Sequence, residues 1–196
     1  MASIDMLEEN KSKKPDTGKL LQSIFTKNWK DKFLFDGIND TSLSYEEFFT
    51  LISKYREKFQ EIGLQKNDCV CFLLPNSIDL IAMYFVSLIM QLVAIPIDPT
   101  KNKHEIDEIL SYVNYKVTIC NTKTHNHIPK SIDITYFNLV LKNHTNYNDL
   151  NIFTRLNYDS LFLITFTSGT SGSPKGVMHS FNNLILSAIE IGRAHV

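Results

Sequence analysis

The sequence predicts an alpha/beta fold, in which helices alternate with strands that build a mostly parallel sheet. Three observations carry this reading. Apolar residues keep helical spacing from Tyr45 to Ile62, a buried run of strand length follows at Cys69 to Leu74, and the same alternation of helix and strand recurs further along the chain. With 196 residues, 43% hydrophobic and 21% charged, the balance is that of a globular domain or of a piece of a larger one.

Taken in order, residues 1–19 mix Glu8 and Glu9 with several lysines and lack the apolar core of a secretory signal, so they read as a loose leader. Leu20, Leu21, Ile24, Phe25 and Trp29 fall on one side of a helix, and Phe33 to Phe35 reads as a short strand ending at Asp36-Gly37, with a turn at Asn39-Asp40. Ser44 and Glu47 form a capping box that opens the clearest helix, which Gly63 closes. The strand Cys69 to Leu74 stops at Pro75-Asn76. Leu80 to Met90 is almost wholly apolar, but Asp79, Gln91 and Pro96 leave it short of the roughly 20 residues of a membrane span, so the sequence predicts a fully buried helix and no transmembrane segment. Glu105 to Val113 reads as a helix and Val117 to Cys120 as a strand. Ile132 to Leu141 reads as one more strand, and Lys142 to Asp149 as an Asn-rich polar connection. Leu161 to Phe166 is a strand, and Phe181 to Glu190 starts a helix.

Charge excludes two classes of partner. Twenty basic against 21 acidic residues give a net charge of −1, with no footprint for nucleic acid or an anionic membrane. Cys69, Cys71 and Cys120 are odd in number and lack a recognised zinc spacing even with His125 and His127 added; they read as buried thiols of a reducing, cytoplasmic protein. Asp98, flanked by two prolines, reads as a turn former rather than a catalytic acid. His104, His125, His127 and His144 lie in polar surroundings and read as surface residues.

Chemistry concentrates between Leu161 and Gly176. The strand there breaks into a run of Thr, Ser and Gly: Gly169 and Gly172 leave no side chain between backbone and ligand, while Thr167, Ser168, Thr170, Ser171 and Ser173 supply hydroxyl donors. Pro174 fixes the exit and Lys175 adds one mobile positive charge. Such a loop wraps an anion, and a polyphosphate suits it. Lys175 lies between Pro174 and Gly176, which fails the Walker template, and the spacing of Gly169 and Gly172 fails the dinucleotide fingerprint. A Ser/Gly linker would be flanked by polar residues instead of a buried strand.

Thr167 to Gly176, Thr-Ser-Gly-Thr-Ser-Gly-Ser-Pro-Lys-Gly, resembles the phosphate-loop signature of the adenylate-forming superfamily and matches every fixed position of it. That family includes acyl-CoA synthetases, luciferases and peptide-synthetase adenylation domains. The run from Leu43 to Ser77 and Pro96 to Thr100 are similar to the family as well. Three positions depart from the pattern: Phe181 stands where members often carry His, a place His179 does not fill; Asn67-Asp68 replaces Gly-Asp; and Gln91 replaces Gly.

The resemblance implies the amino-terminal part of the large domain of such an enzyme, partial and truncated over residues 20–190. Residues 191–196, Ile-Gly-Arg-Ala-His-Val, look like a translated sequencing adapter and are set aside from fold reasoning. It further implies ATP with Mg2+, the latter held largely by residues outside this chain, a carboxylic-acid substrate of fatty or other lipophilic character, and coenzyme A or a carrier-protein thiol as acceptor. Thr167, Ser168, Gly169, Thr170, Ser171 and Gly172 would hold the beta- and gamma-phosphates, and Lys175 would act catalytically by neutralising charge on the leaving pyrophosphate. Alternative readings are an amino-acid adenylation domain, or an inactive remnant that keeps nucleotide binding. The 196 residues alone are expected to be inactive.

Overall fold

The computed structural model describes residues 16–37, 40–121, 125–137, 147–167 and 173–194. The first half runs α1 (Thr17–Lys27), β1 (Lys32–Asp36), β2 (Thr41–Ser44), α2 (Tyr45–Glu61), β3 (Cys69–Leu73), α3 (Ile78–Met90) and β4 (Val93–Pro96). The second runs α4 (Lys103–Ser111), β5 (Val117–Cys120), β6 (Ser131–Asp133), 3-10 turns at Ile134–Phe137 and Tyr147–Arg155, β7 (Leu161–Thr167), β8 (Lys175–Ser180) and α5 (Phe181–Ala194).

Local chemistry sets the helix ends. Ser44 Oγ accepts the Glu47 N–H at 3.2 Å, and Glu47 Oε2 accepts the Ser44 N–H at 2.8 Å, so both halves of the expected capping box are present. Asn102 and Glu105 build a second box at the start of α4. Gly63 leaves α2 at φ 77°, where the absence of a Cβ removes the steric penalty. Asn67 takes φ 69° just before β3. Gln91 ends α3 at φ 55°, ψ 41°, so this chain places a Cβ in the left-handed position that glycine adopts without strain.

The main sheet has the order β6-β5-β3-β4-β7-β8, parallel throughout except for β8, which pairs antiparallel to β7. β4 joins one side of β3 and β5 the other, so right-handed crossovers must place α3 and α4 on opposite faces. Burial agrees. Leu80, Met83 and Val86 of α3 pack in one core with Val70 and Phe72, whereas Ile106 and Ile109 of α4 pack in another with Cys71 and Leu73. A separate hairpin, β1 against β2, is held to the first core through aromatic contacts: Phe25 lies 6.0 Å from Phe33, 5.2 Å from Tyr45 and 5.2 Å from Phe153, ring centre to ring centre.

Four expectations need correction. The strand expected over Ile132 to Leu141 is only β6, because the Asp133 carboxylate accepts the Thr135 N–H at 2.8 Å and its hydroxyl at 2.6 Å, which bends the chain into a 3-10 turn; residues 138–141 lie outside the described residues. The polar connection expected over Lys142 to Asp149 gives way at Tyr147 to a 3-10 helix whose Leu150 and Phe153 are buried. α3 is not fully buried, since Ile81, Tyr84, Phe85 and Met90 are half-covered. His125 and His127 are half-buried, not surface residues: Nε2 of His125 lies 3.1 Å from the Pro99 carbonyl oxygen, and Nε2 of His127 is buried with no hydrogen-bond partner.

Cys71 and Cys120 are buried free thiols, and Cys69 is half-buried. Burial pushes the Cys71 thiol up to about 12 and the Cys120 thiol up to about 11. No helix among the described residues is long and apolar enough to cross a membrane.

Candidate functional site at the mouth of the β7–β8 hairpin

In open parallel sheets, ligands gather outside the carboxyl ends of the strands. β7 runs parallel to β4, so its end at Thr167 lies on the same edge of the sheet as the ends of β3 and β4. Thr167, the first residue of the Thr/Ser/Gly run, therefore stands at the edge where ligands gather in such sheets. Ser168, Gly169, Thr170, Ser171 and Gly172 lie outside the described residues; the structure positions what enters and leaves them.

Thr167 and Lys175 face each other across the hairpin as the last paired register position, and Thr167 Oγ1 donates a long, 3.5 Å hydrogen bond to the Lys175 carbonyl oxygen. Register pairing puts Thr165, Thr167, Lys175, Val177 and His179 on one face, because side chains alternate along each strand. Lys175 is exposed, its backbone fixed by the pairing while its ammonium is left to reach into solvent. Gly176 sits opposite Phe166, and a Cβ there would come within 3.2 Å of Ile164 Cγ2 and 3.5 Å of the Phe166 ring. The glycine thus lets the exit strand lie close on β7 directly beside the lysine.

One pair was missed in the sequence. Thr165 Oγ1 lies 3.3 Å from His179 Nε2, within hydrogen-bond distance, across the two strands. The signal was the alternation Thr165, Thr167 against Lys175, Val177, His179, which becomes readable only once the antiparallel register is known. Phe181, in the place where the resemblance sets a His, packs 5.3 Å from Phe162 and 5.7 Å from Tyr158. An aromatic cluster therefore occupies that place, with no titratable imidazole. Asp98 is a turn former as expected: its carboxylate accepts the Thr100 N–H at 2.8 Å, and this bond, with the Thr100 hydroxyl, holds it below the usual carboxylate range.

The arrangement can bind an anion. The segment between the two strands of the hairpin is polar in sequence and low in side-chain bulk, a hydroxyl stands at its entry, and an exposed lysine stands at its exit. A polyphosphate fits this donor set: Lys175 would meet its charge and Thr167 would donate a hydroxyl hydrogen bond. The described residues at the hairpin mouth offer no carboxylate for a magnesium ion.

A family model described as AMP-binding enzyme matches residues 24–195. Malpibaldin synthetase of Mortierella alpina is 26% identical over 159 residues, covering 79% of this chain and 3% of that protein. A 2-succinylbenzoate--CoA ligase of Oceanobacillus iheyensis is 24% identical over 158 residues, covering 78% and 32%. The solved structure of O-succinylbenzoate coenzyme A synthetase from Bacillus subtilis, in complex with ATP and magnesium ion, superposes with a TM-score of 0.68 at 18% identity, over 86% of this chain and 45% of that one. At that identity the likeness shows the fold, and the chain spans only 32% of the length of the Oceanobacillus ligase. Because the family model covers most of the chain, the protein belongs to the AMP-binding enzymes, the adenylate-forming superfamily.

Proposed function

We propose that the chain is part of an ATP-dependent carboxylate-activating ligase that forms an acyl-adenylate with release of pyrophosphate and then passes the acyl group to a thiol, most simply that of coenzyme A. The observation that carries this reading is the Thr-Ser-Gly-Thr-Ser-Gly-Ser-Pro-Lys-Gly sequence, whose first residue, Thr167, ends β7 at the carboxyl edge of a parallel sheet and faces Lys175.

In the first step a carboxylate oxygen attacks the alpha-phosphorus of ATP, the bond to the beta-phosphate oxygen breaks, and pyrophosphate leaves. The protein's part is positioning and charge neutralisation, since transfer at phosphorus asks for little covalent help. Thr167, Ser168, Gly169, Thr170, Ser171 and Gly172 hold the beta- and gamma-phosphates, and Lys175 offsets the charge that grows on the leaving group. Residues other than those at the hairpin mouth would hold magnesium, which would offset the phosphate charge that repels the incoming carboxylate. The thiol then attacks the acyl carbon and AMP departs.

The acid is fatty or otherwise lipophilic in this reading, and the protein acts in the cytoplasm, which suits its free cysteines. A second reading, amino-acid activation for transfer to a carrier-protein thiol, is supported by the likeness to Malpibaldin synthetase, a chain so long that the match covers 3% of it. ATP–pyrophosphate exchange by the full-length protein with panels of fatty, aryl and amino acids tests both. Exchange with lipophilic acids supports the first, exchange with amino acids the second, and none with any acid leaves an inactive nucleotide-binding remnant.

A further inference from the structure

Among the described residues β8 pairs with β7 alone, so it is held from one side. Where Lys175 stands is then set by that pairing and by whatever anchors the far end of β8, after Ser180. Asn182 does the anchoring. Its backbone N–H donates to the Tyr158 carbonyl at 3.0 Å, its Nδ2 donates to Asp159 Oδ1 at 2.9 Å, and its Oδ1 accepts the Thr17 hydroxyl hydrogen at 2.5 Å.

These bonds join three segments that are distant in sequence. Tyr158 and Asp159 form the turn just before β7, Asn182 lies two residues past the end of β8, and Thr17 opens α1. Asn182 is 7% exposed and Thr17 4%, so a buried carboxamide uses both its donor and its acceptor. The Tyr158 hydroxyl donates to the Phe153 carbonyl at 2.7 Å, tying the same turn to the 3-10 segment on which α1 packs. Helix capping does not account for Asn182, because Ser180 Oγ already accepts the Asn183 N–H at 3.2 Å and leaves Asn182 inside the first turn.

We propose that Asn182 is a positioning residue for the phosphate chemistry: with Thr17 and Asp159 it clamps the base of the β7–β8 hairpin and so fixes Lys175 opposite Thr167. The inference rests on the ligase reading and adds to it. From Lys175 to Ser180 the strand is a lever of about 17 Å at roughly 3.3 Å per residue. A tilt of about 3° at the base therefore moves the mouth by about 1 Å, a misplacement of the size that costs on the order of 100-fold in rate.

The test uses the full-length protein carrying Asn182→Asp, Asp159→Asn, or both, with Tyr55→Phe as a stability control that removes a hydrogen bond between α2 and α3. Asn182→Asp sets a carboxylate against Asp159. The double variant restores the pattern, since Asp at 182 accepts from Thr17 and from the new amide at 159. The single Asp159→Asn change keeps an acceptor there and is expected to be mild.

In ATP–pyrophosphate exchange, kcat is expected to fall at least tenfold in Asn182→Asp while KM for the acid holds. Amide hydrogen exchange in β8 is expected to quicken about tenfold while β3 and β4 stay unchanged, and the double variant is expected to recover both to within about threefold. Unchanged kcat in Asn182→Asp, an equal loss in Tyr55→Phe at matched stability, or no recovery in the double variant would overturn the proposal. If wild type exchanges pyrophosphate with no acid, it is the ligase reading that fails and the kinetic role falls with it; β8 amide exchange still decides the clamp, which an unchanged rate in Asn182→Asp overturns.

Discussion

Gly18→Ala offers a sign test of how α1 is seated. In an isolated helix the change is favourable by up to about 1 kcal/mol, because alanine loses less backbone freedom than glycine, and the gain shrinks near a helix start. Here the added Cβ would lie 2.6 Å from the Phe153 carbonyl oxygen and 3.0 Å from Thr154 Cα. Both are backbone atoms of the 3-10 segment Tyr147–Arg155, so no side chain can rotate out of the way. α1 must lift by several tenths of an ångström, which loosens the Phe25–Phe153 contact at 5.2 Å and the Thr17–Asn182 bond. Overpacking of this kind typically costs 1–3 kcal/mol, so the net effect is a loss of about 1–2 kcal/mol. Urea unfolding of the full-length variant measures it, with circular dichroism of a peptide spanning residues 16–28 as the reference. The expected result is a lower midpoint in the protein and higher helicity in the peptide. A protein stabilised by alanine would show that α1 does not rest on Phe153.

Other consequences can be checked in the same way. Gln91→Gly should stabilise by about 0.5–1 kcal/mol, since it relieves a Cβ at φ 55° and gives up only the long 3.4 Å bond from Gln91 Nε2 to the Asn157 carbonyl; a loss in thermal melting would contradict the strain. Ser44→Ala should cost about 1 kcal/mol by removing the α2 cap, read from the same unfolding curves, and an unchanged midpoint would count against it. The depressed Asp98 carboxyl contributes stability that is fully present above the ordinary carboxylate range and is lost as pH falls below about 4. Asp98→Asn should flatten the pH dependence of stability in that acid window alone, and flattening near neutrality would refute the assignment. Native-state alkylation at pH 8 should label Cys69 first and leave Cys71 and Cys120 unmodified, because burial raises both of the latter thiols; mass spectrometry showing equal labelling would contradict their burial.

Sequence made legible whatever short-range physics decides. The capping box at Ser44, the glycine at φ 77° and the strand at Val117–Cys120 each depend on residues within a few positions of one another. The 3-10 helix Tyr147–Arg155 was not legible, since its burial comes from α1 and the aromatic cluster far off in the chain. β6 was overextended because Ile132, Ile134 and Tyr136 keep strand spacing, while Asp133 and Thr135 between them choose a local bend. At the site, residue types pointed to an anion-binding run, but the Thr165–His179 pair and the hydrogen bonds of Asn182 needed the antiparallel register and the fold around it.

The central claim is that Lys175, held opposite Thr167, works on the departing pyrophosphate. Exchange of labelled pyrophosphate into ATP by full-length Lys175→Ala, beside carboxylate binding by calorimetry, tests it most directly. The account predicts that exchange falls by on the order of 100-fold or more, as when a preorganised charge-stabilising donor is removed, while the acid binds as before. Exchange at the wild-type rate would contradict it.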